Sequence, residues 1–274
     1  MDEPTTRDGY PADLAIQARR MCLYVATVLG SLLDQIVIVG GLVPYLIVEQ
    51  GGDDRELHVG TRDLDLGLSI GLLNGGQYHE VASQLREAGF SPDKNDEGNE
   101  TRQRWRLGTE AITVDFLIAG ARGGSMQSLE NDFAAIILPA LPVAFIDVVD
   151  VVIDDELPTG GRAKRTIRVC GAGAFVVLKA HAIRGRAKNK DAYDLVYLLQ
   201  NYGLGVADVV ARFALVAAHP AAGAALTILA EDFESVDHLG PRRHATFLGD
   251  PMNAEFRQDA LGAVQEFLRV VQRG

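Results

Sequence analysis

The sequence predicts an α/β fold, a layer of helices on a mixed sheet, followed by a mostly helical C-terminal part. Three observations carry this. Short apolar or alternating runs ("QIVIVGG", "TRDLDLGLSI", "EAITVDFLIAG") are interleaved with stretches of helical spacing up to about residue 120. Two of the extended runs, "RQRWRL" and "EAITVDFLIAG", follow one another with only Gly108-Thr109 between them and read as a hairpin inside a layer that otherwise alternates helix and strand. Beyond "GAGAF" (171–175), almost every stretch has apolar residues at helical intervals.

In chain order, residues 11–34 place apolar side chains on one helical face and predict a long amphipathic helix. "QIVIVGG" (35–41) is a short buried strand that ends in two glycines. "LVPYLIVEQ" (42–50) reads as a helix, with Pro44 tolerated in the first turn. "TRDLDLGLSI" (61–70) alternates and reads as a strand, and "QYHEVASQLREAGF" (77–90) as a helix ending near Gly89. "SPDKNDEGNE" (91–100) is a polar loop before the hairpin. Residues 145–170 are β-branched, interrupted by the turn-rich "LPTGGRAKR". Helices are expected at 174–186, 190–202, 206–218, 222–231 and 254–272. The implied division is residues 1–160 for the α/β domain and 161–274 for a helical one. There is no internal repeat or low-complexity tract.

At 274 residues, with 47% hydrophobic and 23% charged residues, the chain has the make-up of a globular protein with a full core. It has no apolar run of membrane-spanning length, and its acidic start, "MDEPTTRDGYPADL", is no signal peptide. Cys22 and Cys170 lie in apolar segments without metal spacing and are expected to be reduced core residues, which points to the cytoplasm. The net charge of −11 disfavours a non-specific hold on nucleic acid. Base nevertheless gathers at 102–106, 160–168 and 184–190, and acid at 49–56, 93–100 and 147–156. The basic stretches can guide a phosphate-bearing partner or be solvated faces.

The chemistry-bearing feature is Asp63-Leu64-Asp65. Alternation puts both carboxylates on one face of a strand, roughly 7 Å apart, while Leu64 and Leu66 face the core. Two such charges repel unless a cation lies between them, and their oxygens suit Mg²⁺ or Mn²⁺. Asp115, in "AITVDFLIAG", is a lone acid on another strand that otherwise looks buried. If the two strands are neighbours, three carboxylates converge, a set able to hold two metals about 4 Å apart. Gly40 and Gly41, between a strand and a helix, can form a backbone nest for phosphate oxygens or serve the turn alone. Thr61 can offer its hydroxyl to a phosphate or support the turn into the strand.

Other residues are weighed against plainer roles. Lys179 sits among "FVVLKAHAI", where an unpaired ammonium is costly, so a phosphate partner is expected. Asp191 can sit at a helix N-terminus capped by Asn189, and Asp194 can pair with Lys190 one turn earlier. His58 and His181 read as satisfied rather than catalytic residues, and Trp105 as a core side chain rather than a base-stacking platform. No zinc spacing, G-x-S-x-G elbow or P-loop is present.

"VGGLVPYL", "HVGTRDLDLGL", "VDFL" and "KAHAIRGRAKNKDAYDLVYLL" together, spanning Val39 to Leu199, resemble the polymerase-β-like nucleotidyltransferases and, within them, the AbiEii/MenT type that includes toxins of toxin–antitoxin pairs. The resemblance implies that Gly40 and Gly41 bind the triphosphate of an NTP, that Asp63 and Asp65 bind metal, and that Lys179 with Asp191 or Asp194 belongs to the site. The chain departs from the wider superfamily in the 21 residues between Gly41 and Asp63 and in a second glycine where many relatives have serine. The implied function is metal-dependent transfer of an NMP from an NTP to an acceptor, the 3′ end of tRNA being the first candidate, with an antitoxin protein as partner. A small-molecule acceptor of the aminoglycoside kind, a protein acceptor, or a non-catalytic binding role for the same fold are the alternatives. A D-x-D glycosyltransferase predicts neither the glycine pair nor the K…KD-x-x-D helix. A haloacid-type phosphatase expects an apolar strand where "HVGTR" stands.

Overall fold

The computed structural model describes residues 4–49, 57–69, 75–121, 123–129 and 133–273. Most of the acidic stretch at 49–56 lies outside these residues. The described residues form two compact units, one from Asp13–Leu42 and Gly60–Cys170, the other from Asp2–Ala12, Val43–Val59 and Gly171–Gly274.

The first unit is a mixed sheet with helices. Its strands are β1 (Ile36–Val39), β2 (Asp63–Leu68), β3 (Phe90–Lys94), β4 (Glu100–Leu107), β5 (Thr113–Ile118), β6 (Met126–Ser128), β7 (Ala134–Ile137), β8 (Val148–Glu156) and β9 (Arg162–Cys170). They lie in the order β3-β4-β5-β2-β1-β9-β8, with β7 joined to β5 and β6 to β7. The β2–β5, β1–β9 and β5–β7 pairs are parallel, and the others are antiparallel. Helix α1 (Leu14–Leu29) packs on β2, β8 and β9 through Ala18, Met21, Cys22, Val25 and Leu29, all buried. It ends five residues before the expected limit, because Gly30 takes a positive φ of 44° and a 3-10 turn, Gly30–Gln35, follows. Helix α3 (Gly75–Glu87) lies against α1 and β3, and a short helix, α4 (Val143–Ile146), leads into β8.

Trp105 is fully buried and meets Phe116 and Phe133 edge-to-face at 6.4 and 5.8 Å, so it is a core residue as expected. The polar stretch 91–100 is a correction to the sequence reading, because its first four residues belong to β3. That strand is the outermost of the sheet, where Pro92 and charged residues are tolerated since one side needs no ladder partner. The basic run at 160–168 is β9, and it pairs with the acidic run of β8: Asp150 with Arg168, Asp154 with Lys164 and Glu156 with Arg162. Arg162 Nε reaches Asp154 Oδ1 at 2.7 Å, and Arg19 and Arg20 bond Asp155. The two runs therefore lie side by side on adjacent strands, joined by the Arg162–Asp154 ion pair.

The second unit holds α2 (Val43–Ile47), α5 (Ala172–Gly185), α6 (Lys190–Asn201), α7 (Val206–Phe213), α8 (Pro220–Asp232), α9 (Leu239–Phe247) and α10 (Ala254–Val271). Its C-terminal stretch begins at Gly171, ten residues beyond the division read from the sequence, since 162–170 is a strand of the sheet, and it also takes in two segments from the first 160 residues. Helix α9 was not expected. Gly240 and Pro241 fall in its first turn, where they do not prevent a helix but do erase its signature. Both cysteines are buried and free, and burial pushes the Cys22 thiol up to about 12, so it is inert.

Candidate active site

On β2, Leu64, Leu66 and Leu68 point into the core while Asp63 and Asp65 share the opposite face. That face closes two residues further on, where Gly67 lies against the Val37 and Leu141 side chains with no room for a Cβ. Strand β5 runs parallel to β2 with Asp115 directly opposite Asp65 and Thr113 opposite Asp63. The neighbouring-strand condition set by the sequence therefore holds, and Asp63, Asp65 and Asp115 stand on adjacent strands. Thr113 donates its hydroxyl to Asp63 Oδ1 at 2.7 Å. Asp63 N donates to Thr61 Oγ1 at 3.3 Å, so the buried Thr61 hydroxyl braces the entry to β2.

Val39, the last residue of β1, pairs with Asp65, and Gly40-Gly41 open a 3-10 turn, Gly40–Leu42. Gly40 has a φ of 76°, and a Cβ there would lie 2.7 Å from the Asp65 carboxyl carbon. Only glycine lets the backbone turn this close to the carboxylate. The following helix has five residues, so the expected dipole contribution to phosphate binding is small.

The sequence reading did not single out Arg104. On β4 it pairs with Asp115 across the antiparallel ladder. Its guanidinium grips Asp115 in a fork, Nε to Oδ1 at 2.7 Å and Nη2 to Oδ2 at 2.6 Å, and Nη2 also lies 3.2 Å from Asp63 Oδ1. The hydrogen bonds to Asp115, with the charges of Asp115, Asp63 and Asp65, hold the guanidinium pKa above the ordinary arginine value despite burial. The two-residue connection read from the sequence, Gly108-Thr109, sets Arg102 opposite Asp115; the connection in the structure spans 108–111 and brings Arg104 there instead. Among the described residues, no three His, Cys, Asp or Glu side chains are gathered into a finished metal cage. The donor set nonetheless fits a hard cation, since it consists of carboxylate oxygens and a guanidinium already bridges two of the three acids.

In the second unit the other predicted residues come together. Lys179 on α5 donates to Asp191 Oδ1 and Asp194 Oδ2 on α6, both at 2.7 Å. Arg186 forks onto Asp191 with two 2.8 Å bonds. Lys190 Nζ reaches Asp194 Oδ1 at 2.6 Å, and His58 Nε2 lies 2.9 Å from the same oxygen. Lys179, Lys190, Asp191, Asp194 and His58 are all at most 5% exposed. Burial opposes the Lys179 ammonium, but Asp191 and Asp194 outweigh it and raise its pKa above the usual lysine range. Burial likewise opposes both carboxylates, yet Lys179 first, with Arg186 at Asp191 and Lys190 at Asp194, holds them well below the usual carboxylate range. Lys190 is pushed down, since burial dominates and Lys179 repels it. Burial lowers His58 to about 4, so the imidazole is neutral. It stacks on Tyr193 at 5.4 Å and meets Tyr197 edge-on at 4.9 Å.

One expectation about this cluster is corrected: Asn189 makes no side-chain cap bond to α6, and its amide donates instead to Thr5 O at 3.2 Å. The i, i+4 pair of Lys190 and Asp194 forms as expected, inside a buried network. His58 joins that network, while His181 is a satisfied residue bonded to Ala221 O at 3.1 Å. The basic run at 184–190 also serves internal partners, Arg184 binding Asp232 and Glu231 and Arg186 binding Asp191.

The mixed α/β chain carries aligned strand carboxylates beside a glycine turn in its first unit, and a buried lysine held by two aspartates in its second. The chain matches the family model described as the nucleotidyl transferase AbiEii toxin of Type IV toxin–antitoxin systems over residues 54–269, and it belongs to that family. No curated protein matches it. Membership implies a transferase and an antitoxin partner. Among the described residues, no helix is long and apolar enough to cross a membrane.

Proposed function

We propose that this chain is a metal-dependent nucleotidyltransferase that moves an NMP from an NTP to the 3′ end of tRNA, as the toxin of a cytoplasmic toxin–antitoxin pair. The observation that supports it most is the register of β2 against β5, which aligns Asp65 with Asp115 and Asp63 with Thr113 on one face beside the Gly40 turn. Asp63 and Asp65, with Asp115, would hold Mg²⁺ or Mn²⁺. When bound, the metal supplies charge neutralisation for the phosphates and a lowered pKa for the attacking hydroxyl.

The chain's own groups do the rest. Thr113 fixes the orientation of the Asp63 carboxylate through its hydroxyl. Gly40 and Gly41 let backbone N–H groups approach a triphosphate without a side chain intervening. In the second unit, Lys179 gives two of its three N–H donors to Asp191 and Asp194, and those two acids keep the buried ammonium charged.

A second reading keeps the chemistry and changes the acceptor. Arg162 of β9 and Arg184 and Arg186 of the run at 184–190 are bound to acids of the chain itself, which favours a small-molecule or protein acceptor over a long nucleic-acid track. The two are separated by incubating the protein with α-labelled and, separately, γ-labelled NTP, with and without total tRNA. Label on tRNA from the α position alone supports the first reading. Pyrophosphate release without labelled tRNA supports the second. Label transferred from the γ position contradicts both.

A further inference from the structure

Arg104 has no place in the scheme above, yet it makes the strongest contacts in the carboxylate site. We propose that its guanidinium is the built-in occupant of the cation position between Asp63 and Asp115 in the metal-free protein, and that entry of a divalent ion displaces it, so that Arg104 sets how tightly the bare site holds metal. The proposal rests on the metal reading of that site.

Three features of the geometry lead here. First, three aligned carboxylates without a cation would repel one another, and the structure meets that repulsion with one guanidinium shared between two strands. The fork on Asp115 uses both of its oxygens, and the third contact, at 3.2 Å, uses the Asp63 oxygen that Thr113 also binds. These are the oxygens a metal would need, so guanidinium and metal compete for them. Second, three acids against one guanidinium leave two formal negative charges, so the site still attracts a divalent ion while Arg104 is in place, and once Arg104 leaves, the ion faces all three. Third, Arg104 is able to leave. Its side chain is 35% exposed, against 7% for Asp115 and 17% for Asp63, so swinging away takes it toward water. Its backbone also stands at an irregularity, since the β3 ladder steps from Trp105 opposite Pro92 to Thr101 opposite Asp93 and skips Arg102 to Arg104. Such bulges re-aim side chains beside functional sites.

The competing explanation is a plain cross-strand clip between β4 and β5, and the two differ in what removal does to metal binding. Mn²⁺ binding in the absence of nucleotide, read by electron paramagnetic resonance, is compared for wild type, Arg104→Gln and Arg104→Lys. Thermal unfolding is recorded in chelator and in saturating Mn²⁺. Removing a charged competitor is expected to tighten Mn²⁺ binding about tenfold or more in Arg104→Gln. Arg104→Lys, which keeps the charge and lacks the fork, should fall between the two and serves alone if the Gln variant does not fold. The Gln variant should melt below wild type in chelator, with the gap narrowing when Mn²⁺ is added. Equal Mn²⁺ affinity in all three, with a melting deficit that metal does not change, would leave only the clip and overturn the proposal. Specific Mn²⁺ binding in none of them would overturn it together with the metal reading.

Discussion

The contact between Gly40 and Asp65 yields a prediction with its own control. Gly40→Ala forces alanine into a φ of 76°, and Gly30→Ala does the same at 44°, where nothing lies within 4 Å of the new Cβ. The left-handed backbone costs an alanine about 1–2 kcal/mol in each case. For a chain of this size that is a fall of about 2–4 °C in melting temperature per kcal/mol. At Gly40 the added Cβ also lies 2.7 Å from the Asp65 carboxyl carbon. Ordinary carbon–carbon contact is about 3.5–4.0 Å, so the carboxylate must shift by about 1 Å. Overpacking of this kind adds about 1–3 kcal/mol of destabilisation. With Asp65 in the proposed role of metal ligand, a displacement of that size costs about a hundredfold in rate. Thermal unfolding, Mn²⁺ affinity and nucleotide transfer should be measured on both variants. Gly30→Ala should lose stability only, and Gly40→Ala should lose stability, metal affinity and transfer together. If the two variants matched in Mn²⁺ affinity and transfer, the argument that the glycine turn sets the position of Asp65 would be refuted.

The buried cluster supports further expectations. Lys179→Met should destabilise the protein by about 3 kcal/mol in urea unfolding, the low end for breaking a buried pair, because Asp191 keeps Arg186 and Asp194 keeps Lys190; a loss under about 1 kcal/mol would mean that the network does not hold the helices. His58, depressed by burial from 6.5 to about 4, stays neutral in the fold while the unfolded chain takes up a proton below about 6.5, so its stabilisation is complete above that pH and is lost as pH falls toward 4. Over that window His58→Gln should lose about 3 kcal/mol less than wild type, and parallel pH–stability curves for the two proteins would contradict a buried neutral imidazole.

The sequence made the strand carboxylates legible because a charge in an apolar, alternating run is costly and therefore conspicuous. Asp63, Asp65 and Asp115 show this, whereas Arg104 was not legible, because the turn read at Gly108-Thr109 is two residues shorter than the connection in the structure and shifts the pairing by two. The residues gathered at Lys179 were half legible. Asp191 and Asp194 lie 12 and 15 residues away, within reach of pattern reading, whereas His58 is 136 residues from Asp194 and sequence spacing says nothing about such a pair. What was not legible lay at edges and short elements. Strand β3 hid behind its proline and charges, and α9 behind a glycine and a proline in its first turn. The charge runs at 147–156 and 160–168 looked like independent surfaces until the β8–β9 register paired them.

The central claim, that strand-borne carboxylates carry metal-dependent nucleotidyl transfer, is tested most directly with Asp65→Asn. Asparagine keeps the shape of the side chain and removes one negative charge. Wild type and variant, both shown to be folded, are incubated with each α-labelled NTP, Mg²⁺ and total tRNA. The account predicts label on tRNA with wild type, none with Asp65→Asn, and one base favoured among the four NTPs. Equal labelling by the two proteins would contradict it.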